Sequence, residues 1–302
     1  MKHWLTILLL LTTTLAFAEK RALVIGIGTY APDSGWDAIN GDNDIALVQE
    51  MLQANGFSPN HIATLKNEQA TYKNIQHALT TLIKSSNEGD VVYIHFSGHG
   101  QQISDVNHDE EDGYDEAFIP YDAHIQPSED YHGERHLTDD ELNGYLSQVQ
   151  NKIGNSGRLT VIMDACHSGT GTRKLGERNI RGTASKFLIA DYSIKQLRSF
   201  GLNDAFLSAM YKPQTINWLY IGACSDKECN RQYISKNAED RVPSPCGSLS
   251  YALYSQMDQL STQSTQSICE EMLSLFQDRS FLPRSQSPQI QVPENRKLQP
   301  ML

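Results

Sequence analysis

Short apolar runs alternate with amphipathic segments along most of this 302-residue chain. The runs Arg21–Ile27, Val91–Phe96 and Leu159–Met163 are rich in β-branched and other apolar residues, which is typical of strands buried on both faces of a parallel sheet. Asp42–Asn55 instead has apolar residues at helical spacing and acidic residues in its first turn. This alternation predicts an α/β fold with a mostly parallel sheet.

The same patterns extend the prediction through the rest of the chain. Further strands are expected at His61–Leu65, Ala117–Tyr121 and Trp218–Cys224, and further helices at Ala70–Ser85, Asp140–Gln150 and Ser248–Met257. Residues 169–213 are polar and contain clustered glycine, lysine and arginine, which predicts a loop. Residues 19–285 are therefore expected to form the folded part. Residues 286–302, rich in proline and glutamine, are expected to be a poorly ordered or loosely packed tail.

The first 18 residues have the pattern of a secretory signal peptide. Lys2 and His3 precede the apolar run Leu5–Leu15, and Ala16–Ala18 has small residues at both positions of an A-x-A cleavage site. The apolar run is too short for a stable membrane span, and no cysteine follows the cleavage site for lipid attachment. We expect the protein to be exported, to the periplasm or outside the cell, with no membrane anchor.

Net charge limits the classes of partner, and the cysteine count limits the possible disulfides. The formal net charge of −11 disfavours nucleic acid and anionic membranes and suits a cationic substrate. Five cysteines in an exported chain leave one thiol outside any disulfide, as a catalytic thiol requires. The remaining four could make up to two disulfides, with the pairing open: Cys224, Cys229, Cys246 and Cys269.

Two predicted strands end in polar, glycine-containing turns that hold a cysteine and a histidine. Cys166 follows Leu159–Met163, and His99 follows Val91–Phe96. Parallel strands place both residues at one edge of the sheet, where open α/β sheets bind their ligands, and a nearby imidazole raises the thiolate fraction of a cysteine. The competing interpretation is a buried core cysteine. Two other histidines could act as the base. His95 lies inside the strand, and His167 directly follows Cys166, so that its side chain is expected to point away from the thiol. His99 is therefore preferred.

The residues after the first strand also fit a loose dinucleotide-binding pattern. Gly26, Gly28 and Ala31 match G-x-G-x-x-A, which introduces an oxidoreductase as an alternative. That pattern requires a helix directly after the strand. Pro32–Gly35 forms a loop instead, and the helix begins only near Asp42, which disfavours this interpretation.

The motifs Ser97–Gly100 (SGHG) and Asp164–Gly169 (DACHSG), in this order and each at a strand end, resemble those of the metacaspase branch of the caspase-like cysteine peptidases. The resemblance implies a caspase-like three-layer sandwich, with a sheet of about six strands and helices on both faces. It also implies a cysteine endopeptidase with a Cys166–His99 dyad acting on a polypeptide. The backbone N–H groups of Cys166 and Gly100 are expected to stabilise the oxyanion.

The resemblance further implies cleavage after arginine or lysine. Metacaspases have an aspartate where caspases have a glutamine two residues before the nucleophile, and Asp164 stands there. A carboxylate at the floor of a pocket attracts a guanidinium and repels a substrate carboxylate. Asp44 caps the first helix and, by resemblance, also points into this pocket. Asp44, Ser97 and Asp164 are the predicted substrate-binding residues.

Calcium is a further implication of the resemblance, because many metacaspases need it. The acidic stretch Asp105–Glu116 has oxygens at EF-hand-like spacing, but Glu110 replaces the required glycine, so a solvated loop is preferred. Asp139 and Asp140 match the family's ion-binding pair, whereas Arg173 stands where a further aspartate is expected. Calcium therefore stays an open expectation, and the chemical step is expected to need no metal.

In metacaspases the region equivalent to residues 169–213 joins a larger and a smaller part and is often cut by the enzyme itself. Lys174, Arg178 and Arg181 are the basic residues that would suit such a cut. Two other functions remain open: a non-catalytic caspase-like binding module, and a thiol hydrolase or transferase acting on non-peptide substrates. The sequence leaves the oligomeric state undetermined.

Overall fold

The computed structural model describes residues 18–105, 110, 112–166, 180–189, 217–225, 228–235, 242–282 and 286–302. Its central sheet consists of β1 (Lys20–Gly26), β2 (Ile62–Lys66), β3 (Val91–Ser97), β7 (Arg158–Asp164), β8 (Leu219–Gly222) and β11 (Gln289–Gln291). The strand order is β11-β8-β7-β3-β1-β2. All neighbouring pairs are parallel except β11 with β8. The predicted mostly parallel sheet of about six strands is confirmed.

Two small antiparallel sheets lie beside the central one. The first is formed by β4 (Gly100–Ser104), β5 (Tyr114–Phe118) and β6 (Leu137–Thr138). The second pairs β9 (Gln232–Tyr233) with β10 (Cys246–Gly247). Because β4 begins directly after His99, the first of these sheets adjoins the edge at which His99 lies.

The helices are α1 (Asp44–Ala54), α2 (Tyr72–Ser85), α3 (Asp139–Ile153), α4 (Ser248–Tyr254) and α5 (Thr265–Gln277). Apolar side chains of α2 and α3 pack against one face of the central sheet, and those of α1, α4 and α5 against the other. Side chains of β3 alternate between these two faces. Val92, Ile94 and Phe96 pack with α2 and α3, whereas Val91 and Tyr93 pack on the face covered by α1, α4 and α5. The result is a three-layer sandwich.

Element boundaries agree with the sequence patterns to within a few residues for most strands and helices. The strand expected at Ala117–Tyr121 is shifted, since β5 spans Tyr114–Phe118. Helix α5 was not predicted, although Ile268, Met272 and Phe276 follow helical spacing and are buried.

The expectation of a poorly ordered or loosely packed tail is wrong. Within residues 286–302, β11 pairs with the edge strand β8, and Gln286 is buried. Met301 and Leu302 are buried in the core beneath α4 and α5. The composition of this segment is polar, but a few apolar residues and an exposed strand edge are enough to hold it against the domain.

Among the described helices, none has the length and apolar character needed to cross a bilayer. The predicted signal peptide lies outside the described residues except for Ala18, and so do most residues of the predicted 169–213 loop.

Candidate active site

The register of two central strands brings the predicted thiol and imidazole to the same edge of the sheet. Ser97 at the end of β3 pairs with Asp164 at the end of β7. His99 and Cys166 each follow two residues later, and both side chains are buried. The N–H of Gly98 also donates to the carbonyl of Asp164 at 3.4 Å, which ties the two turns together.

His99 is held in a defined orientation. Its ring stacks on Trp36 with 4.8 Å between ring centroids, and its Nε2 lies 2.9 Å from the carbonyl oxygen of Asp37. A carbonyl only accepts, so Nε2 bears the proton and Nδ1 is left as the acceptor. Nδ1 in turn accepts a hydrogen bond of 2.9 Å from the backbone N–H of Gly182. The neutral imidazole therefore points at the peptide nitrogen of Gly182.

Gly182 also lies against Cys166. A Cβ added to Gly182 would be 2.2 Å from the carbonyl oxygen of Cys166 and 3.0 Å from its Cβ, and the φ of Gly182 is +135°. A residue with a side chain would not fit here without movement of the backbone. The peptide bond between Arg181 and Gly182 is thus enclosed by the turn holding the thiol and by the imidazole.

The thiol of Cys166 donates a hydrogen bond of 3.0 Å to the carbonyl of Glu228. A second thiol, Cys224, is adjacent, and hydrogen bonding to Cys166 together with burial raises the pKa of Cys224 well above its usual value. None of the five cysteines, all of which lie in the described part of the chain, forms a disulfide. The two disulfides that composition allowed are not formed.

The three predicted substrate-binding residues surround the side chain of Arg181. Its Nη1 lies 2.6 Å from Asp44 Oδ2, 3.3 Å from Asp164 Oδ1 and 3.3 Å from Ser97 Oγ. Arg181, Asp44, Ser97 and Asp164 are all 0% exposed. A basic side chain of the protein itself therefore fills a buried, negatively charged pocket beside Cys166.

Charge pairing dominates the electrostatics of this pocket. Burial by itself would raise the pKa of Asp164, but the Arg181 guanidinium and hydrogen bonds from Asn230 and Ser250 hold it below its usual value. Burial would likewise lower the pKa of Arg181, and the carboxylates of Asp44 and Asp164 raise it instead. The pocket is thus built for a side chain that stays protonated.

Asn230 and Ser250 were not predicted, and both fix the pocket floor. Asn230 donates from Nδ2 to Asp164 Oδ1 at 2.7 Å. Ser250, in α4, donates to Asp164 Oδ2 from its backbone N–H at 2.8 Å and from Oγ at 2.7 Å. They lie 66 and 86 residues from Asp164 along the chain, so no local pattern could have identified them.

The backbone of Arg181 is held in the manner of an added strand. Its N–H donates to the carbonyl of Asn230 at 3.0 Å, and Ile180 forms an antiparallel bridge with Arg231. These contacts involve only main-chain atoms, so they do not depend on the identity of the bound side chains.

The first half of the chain matches a known family. The metacaspase peptidase C14 domain matches residues 20–173, which is half of the chain. The chain belongs to the metacaspase family. The predicted resemblance is confirmed, and family membership supports a cysteine-type peptidase.

Two curated relatives and one solved structure illustrate the similarity. Metacaspase-1 of Candida albicans is 32% identical over 164 residues, and Metacaspase-4 of Arabidopsis thaliana is 32% identical over 160 residues. Each match covers 50% of this chain and 34% of the relative, so the chain matches about a third of the length of these metacaspases. The crystal structure of a Geobacter sulfurreducens protein, 21% identical, has a TM-score of 0.61 and covers 94% of this chain and 98% of its own. That likeness supports the caspase-like fold.

The alternative base His95 is part of the packing of this metacaspase. It is 0% exposed, and its ring nitrogens contact Tyr93 Oη, Ser97 Oγ and Ser250 Oγ. Burial lowers the pKa of His95 to about 4, so it is neutral at neutral pH. His167 lies outside the described residues, as do Lys174 and Arg178.

The predicted calcium residues do not assemble a metal site within the described residues, where no three histidine, cysteine or acidic side chains converge on one point. Asp139 and Asp140 begin α3, and Asp139 Oδ1 is buried with no hydrogen-bond partner in the part of the chain described. Burial, then Glu116 and Asp140, raise the pKa of Asp139 well above its usual value. Carboxylates suit a hard cation, and the charged groups that act on Asp139 are the carboxylates of Glu116, Asp140 and Glu110.

The dinucleotide-binding pattern has no structural counterpart. Helix α1 begins at Asp44, separated from β1 by a loop and by the 3₁₀ turn Gly41–Asn43. A Cβ on Gly26 would lie 2.7 Å from the carbonyl of Gly41, so the glycine serves close packing between loop and strand.

Proposed function

We propose that this protein is a cysteine endopeptidase that cleaves polypeptides after arginine or lysine, with Cys166 as the nucleophile and His99 as the general acid and base. One observation supports this above the others. The chain presents Arg181 to a pocket lined by Asp44 and Asp164, while the following peptide nitrogen lies 2.9 Å from His99 Nδ1.

The proposed reaction uses Cys166 and His99 in turn. His99 takes the thiol proton, and Cys166 Sγ attacks the carbonyl carbon of the basic residue to form a tetrahedral oxyanion. The backbone N–H groups of Cys166 and Gly100 stabilise that oxyanion. His99 Nδ1 then gives the proton to the leaving amine, which occupies the position of the Gly182 nitrogen. Water, deprotonated by His99, hydrolyses the remaining thioester and restores the thiol.

Selectivity comes from burying the substrate cation between two carboxylates. A guanidinium offers five N–H donors, and the pocket presents Asp44, Asp164 and Ser97 oxygens within 3.3 Å of one of its nitrogens. An aspartate side chain at this position would place a third negative charge in a site closed to water, which is strongly unfavourable. Arginine and lysine are therefore accepted and acidic residues are rejected.

Self-processing is part of the same proposal. Of the three basic residues expected to suit a self-made cut, Arg181 lies in the described part of the chain and occupies the pocket. We propose the Arg181–Gly182 bond as the self-cleaved bond. Until it is cut, residues 180–182 cover the thiol and exclude other substrates.

Two further expectations complete the proposal. Export to the periplasm or the outside of the cell rests on the signal-peptide pattern of the first 18 residues. Calcium, bound by Asp139 and Asp140, is proposed only as an ion outside the chemical step.

A set of fluorogenic peptides differing only in the residue before the cut tests the proposed activity. We expect kcat/KM to be at least about 100-fold higher for arginine and lysine than for aspartate or glycine, because a charge-assisted buried pair is worth several kcal/mol. Rates are measured with and without calcium.

Each of the other outcomes would support a different function for this protein. Cleavage after aspartate would overturn the assignment of the pocket. No cleavage of any peptide would favour a non-catalytic binding module, and turnover of non-peptide thioesters alone would favour a thiol hydrolase on the same fold.

A further inference from the structure

A second side chain of the 180–189 segment is buried in a pocket of its own. Phe187 is 0% exposed, although its neighbours Lys186 and Leu188 are exposed. Its ring lies edge-on to Tyr131 with 5.6 Å between centroids, and 4.5 Å from the ring of His136.

Gly133 makes room for this ring. Its φ is +96°, and a Cβ there would lie 2.8 Å from Ile103 Cδ1 and 3.1 Å from Phe187 Cε1. The walls of the pocket are Ile103, Tyr131, Gly133 and His136, hereafter the aromatic pocket. None of these residues belongs to the 180–189 segment, so the pocket is a feature of the folded domain.

Hydrogen bonds hold the walls of the aromatic pocket in place. Tyr131 Oη lies 2.8 Å from His136 Nδ1, and His136 Nε2 lies 3.0 Å from Gln101 Oε1. Burial, and then the charge of Arg135, lower the pKa of His136 to about 3, so the ring is neutral and apolar towards Phe187. Gln101 Nε2 also donates to the carbonyl of Ser185 at 2.8 Å, which links the pocket to the backbone leading from the cut.

The backbone at Phe187 pairs with β4, the first strand of the small sheet. Its N–H donates to the carbonyl of Gln102 at 2.8 Å, and its carbonyl accepts from the N–H of Ser104 at 3.0 Å. Ile103 and Phe187 form a parallel bridge. Main-chain pairing of this kind accepts any extended peptide, and the side-chain pocket then supplies the specificity.

One stretch of chain thus joins two pockets. Arg181 fills the basic pocket, and Phe187, six residues later, fills the aromatic pocket. A separate peptide bound for cleavage must place its basic residue where Arg181 lies. Its later residues then take the path that residues 182–187 take from the basic pocket to β4.

We propose that the aromatic pocket is a substrate subsite. It binds an aromatic side chain six residues after the basic residue that precedes the cleaved bond. This proposal rests on the proposed endopeptidase function. In the uncut chain Phe187 occupies the subsite. A polypeptide substrate with a basic residue, an extended segment and a phenylalanine or tyrosine at that spacing occupies it during turnover.

The subsite is tested with peptide copies of residues 180–189 that are labelled with a fluorophore and a quencher. All of them have glutamine in place of Lys186, so that only the bond after the arginine can be cut. The native peptide has no other change, a second has alanine in place of the phenylalanine, and a matched control has alanine in place of the exposed leucine that follows. Cleavage is measured with the wild-type chain and with Phe187→Ala, whose own side chain no longer competes for the pocket.

With Phe187→Ala we expect the native peptide to be cleaved with at least about tenfold higher kcat/KM than the peptide lacking phenylalanine, mainly through a lower KM. The leucine control should match the native peptide. With wild type the advantage should be smaller. Phe187→Leu, which keeps an apolar side chain, is the second variant if Phe187→Ala does not fold, and the native peptide should still be preferred.

Binding to a Cys166→Ala, Arg181→Gln, Phe187→Ala variant separates this proposal from the activity itself, because neither pocket is then filled by the uncut chain's own side chain. Binding is followed by fluorescence anisotropy with unquenched peptides. Tighter binding of the native peptide supports the subsite whether or not cleavage occurs. Equal binding and equal kcat/KM for the first two peptides would overturn the subsite and leave cleavage after arginine intact. Absence of cleavage after arginine in every peptide would instead overturn the endopeptidase.

Discussion

Replacing Cys166 with alanine is expected to abolish self-cleavage and to lower kcat/KM for arginine peptides by about 10⁴-fold or more, as loss of the nucleophile does in other covalent hydrolases. The side chain is small and buried, and the change removes its hydrogen bond to the Glu228 carbonyl. The fold should persist, because the strand β7 that precedes it is buried and paired on both sides. Peptide turnover and the mass of the purified chain measure the two effects.

Cys269→Ala is the matched control for the loss of a thiol. Cys269 is buried in α5, among the apolar side chains on the α1 face of the sheet, and is not part of the site. We expect this variant to be somewhat less stable and to retain peptide cleavage. Activity that survives in Cys166→Ala at a rate close to wild type would assign the nucleophile to another residue.

Asp164→Asn is expected to lower kcat/KM for arginine peptides by about 10²- to 10³-fold, because removing one partner of a buried ion pair costs about 3–5 kcal/mol. The two carboxylate oxygens accept from Asn230 on one side and from Ser250 on the other. An amide in either orientation turns its NH₂ group towards one of these donors. The ratio of kcat/KM for arginine peptides to that for glutamine peptides should also fall, since Asp44 alone then attracts the guanidinium.

Asp42→Asn removes the same charge from a carboxylate that lies two residues before Asp44 in the chain. Asp42 pairs with Lys66 at 3.2 Å and is partly exposed. We expect wild-type kcat/KM from this variant, because surface ion pairs contribute little. An unchanged preference for arginine in Asp164→Asn would show that the pocket around Arg181 does not determine specificity.

The sheet and the edge at which His99 and Cys166 lie could be predicted from the sequence because both depend on local patterns. Buried strands appear as apolar runs, and the turns after β3 and β7 contain His99 and Cys166 at matching positions. Parallel strands bring such turns together without any knowledge of the rest of the fold. Asp44, Ser97 and Asp164 converge for the same reason, since all three lie at or beside that edge.

The remaining features depend on contacts between distant parts of the chain. Ser250 reaches Asp164 from a helix that begins 84 residues later, and the final residues pack beneath α5. The packing of residues 286–302 was not predicted because most of these residues are polar, whereas only a few, such as Met301 and Leu302, are apolar and buried. That Arg181 fills the pocket also followed from no pattern, because three basic residues in the same loop appeared equally suitable.

In the proposed mechanism, the uncut chain presents the Arg181–Gly182 bond to Cys166 and His99 as a substrate. The most direct test is to incubate the pure full-length protein, with and without calcium, and to identify the new termini by mass spectrometry. We expect a new amino terminus at Gly182 and a new carboxyl terminus at Arg181, both absent in Arg181→Gln and in Cys166→Ala. A chain that stays intact in both conditions, or one cut after Lys174 or Arg178 with the Arg181–Gly182 bond preserved, would contradict it.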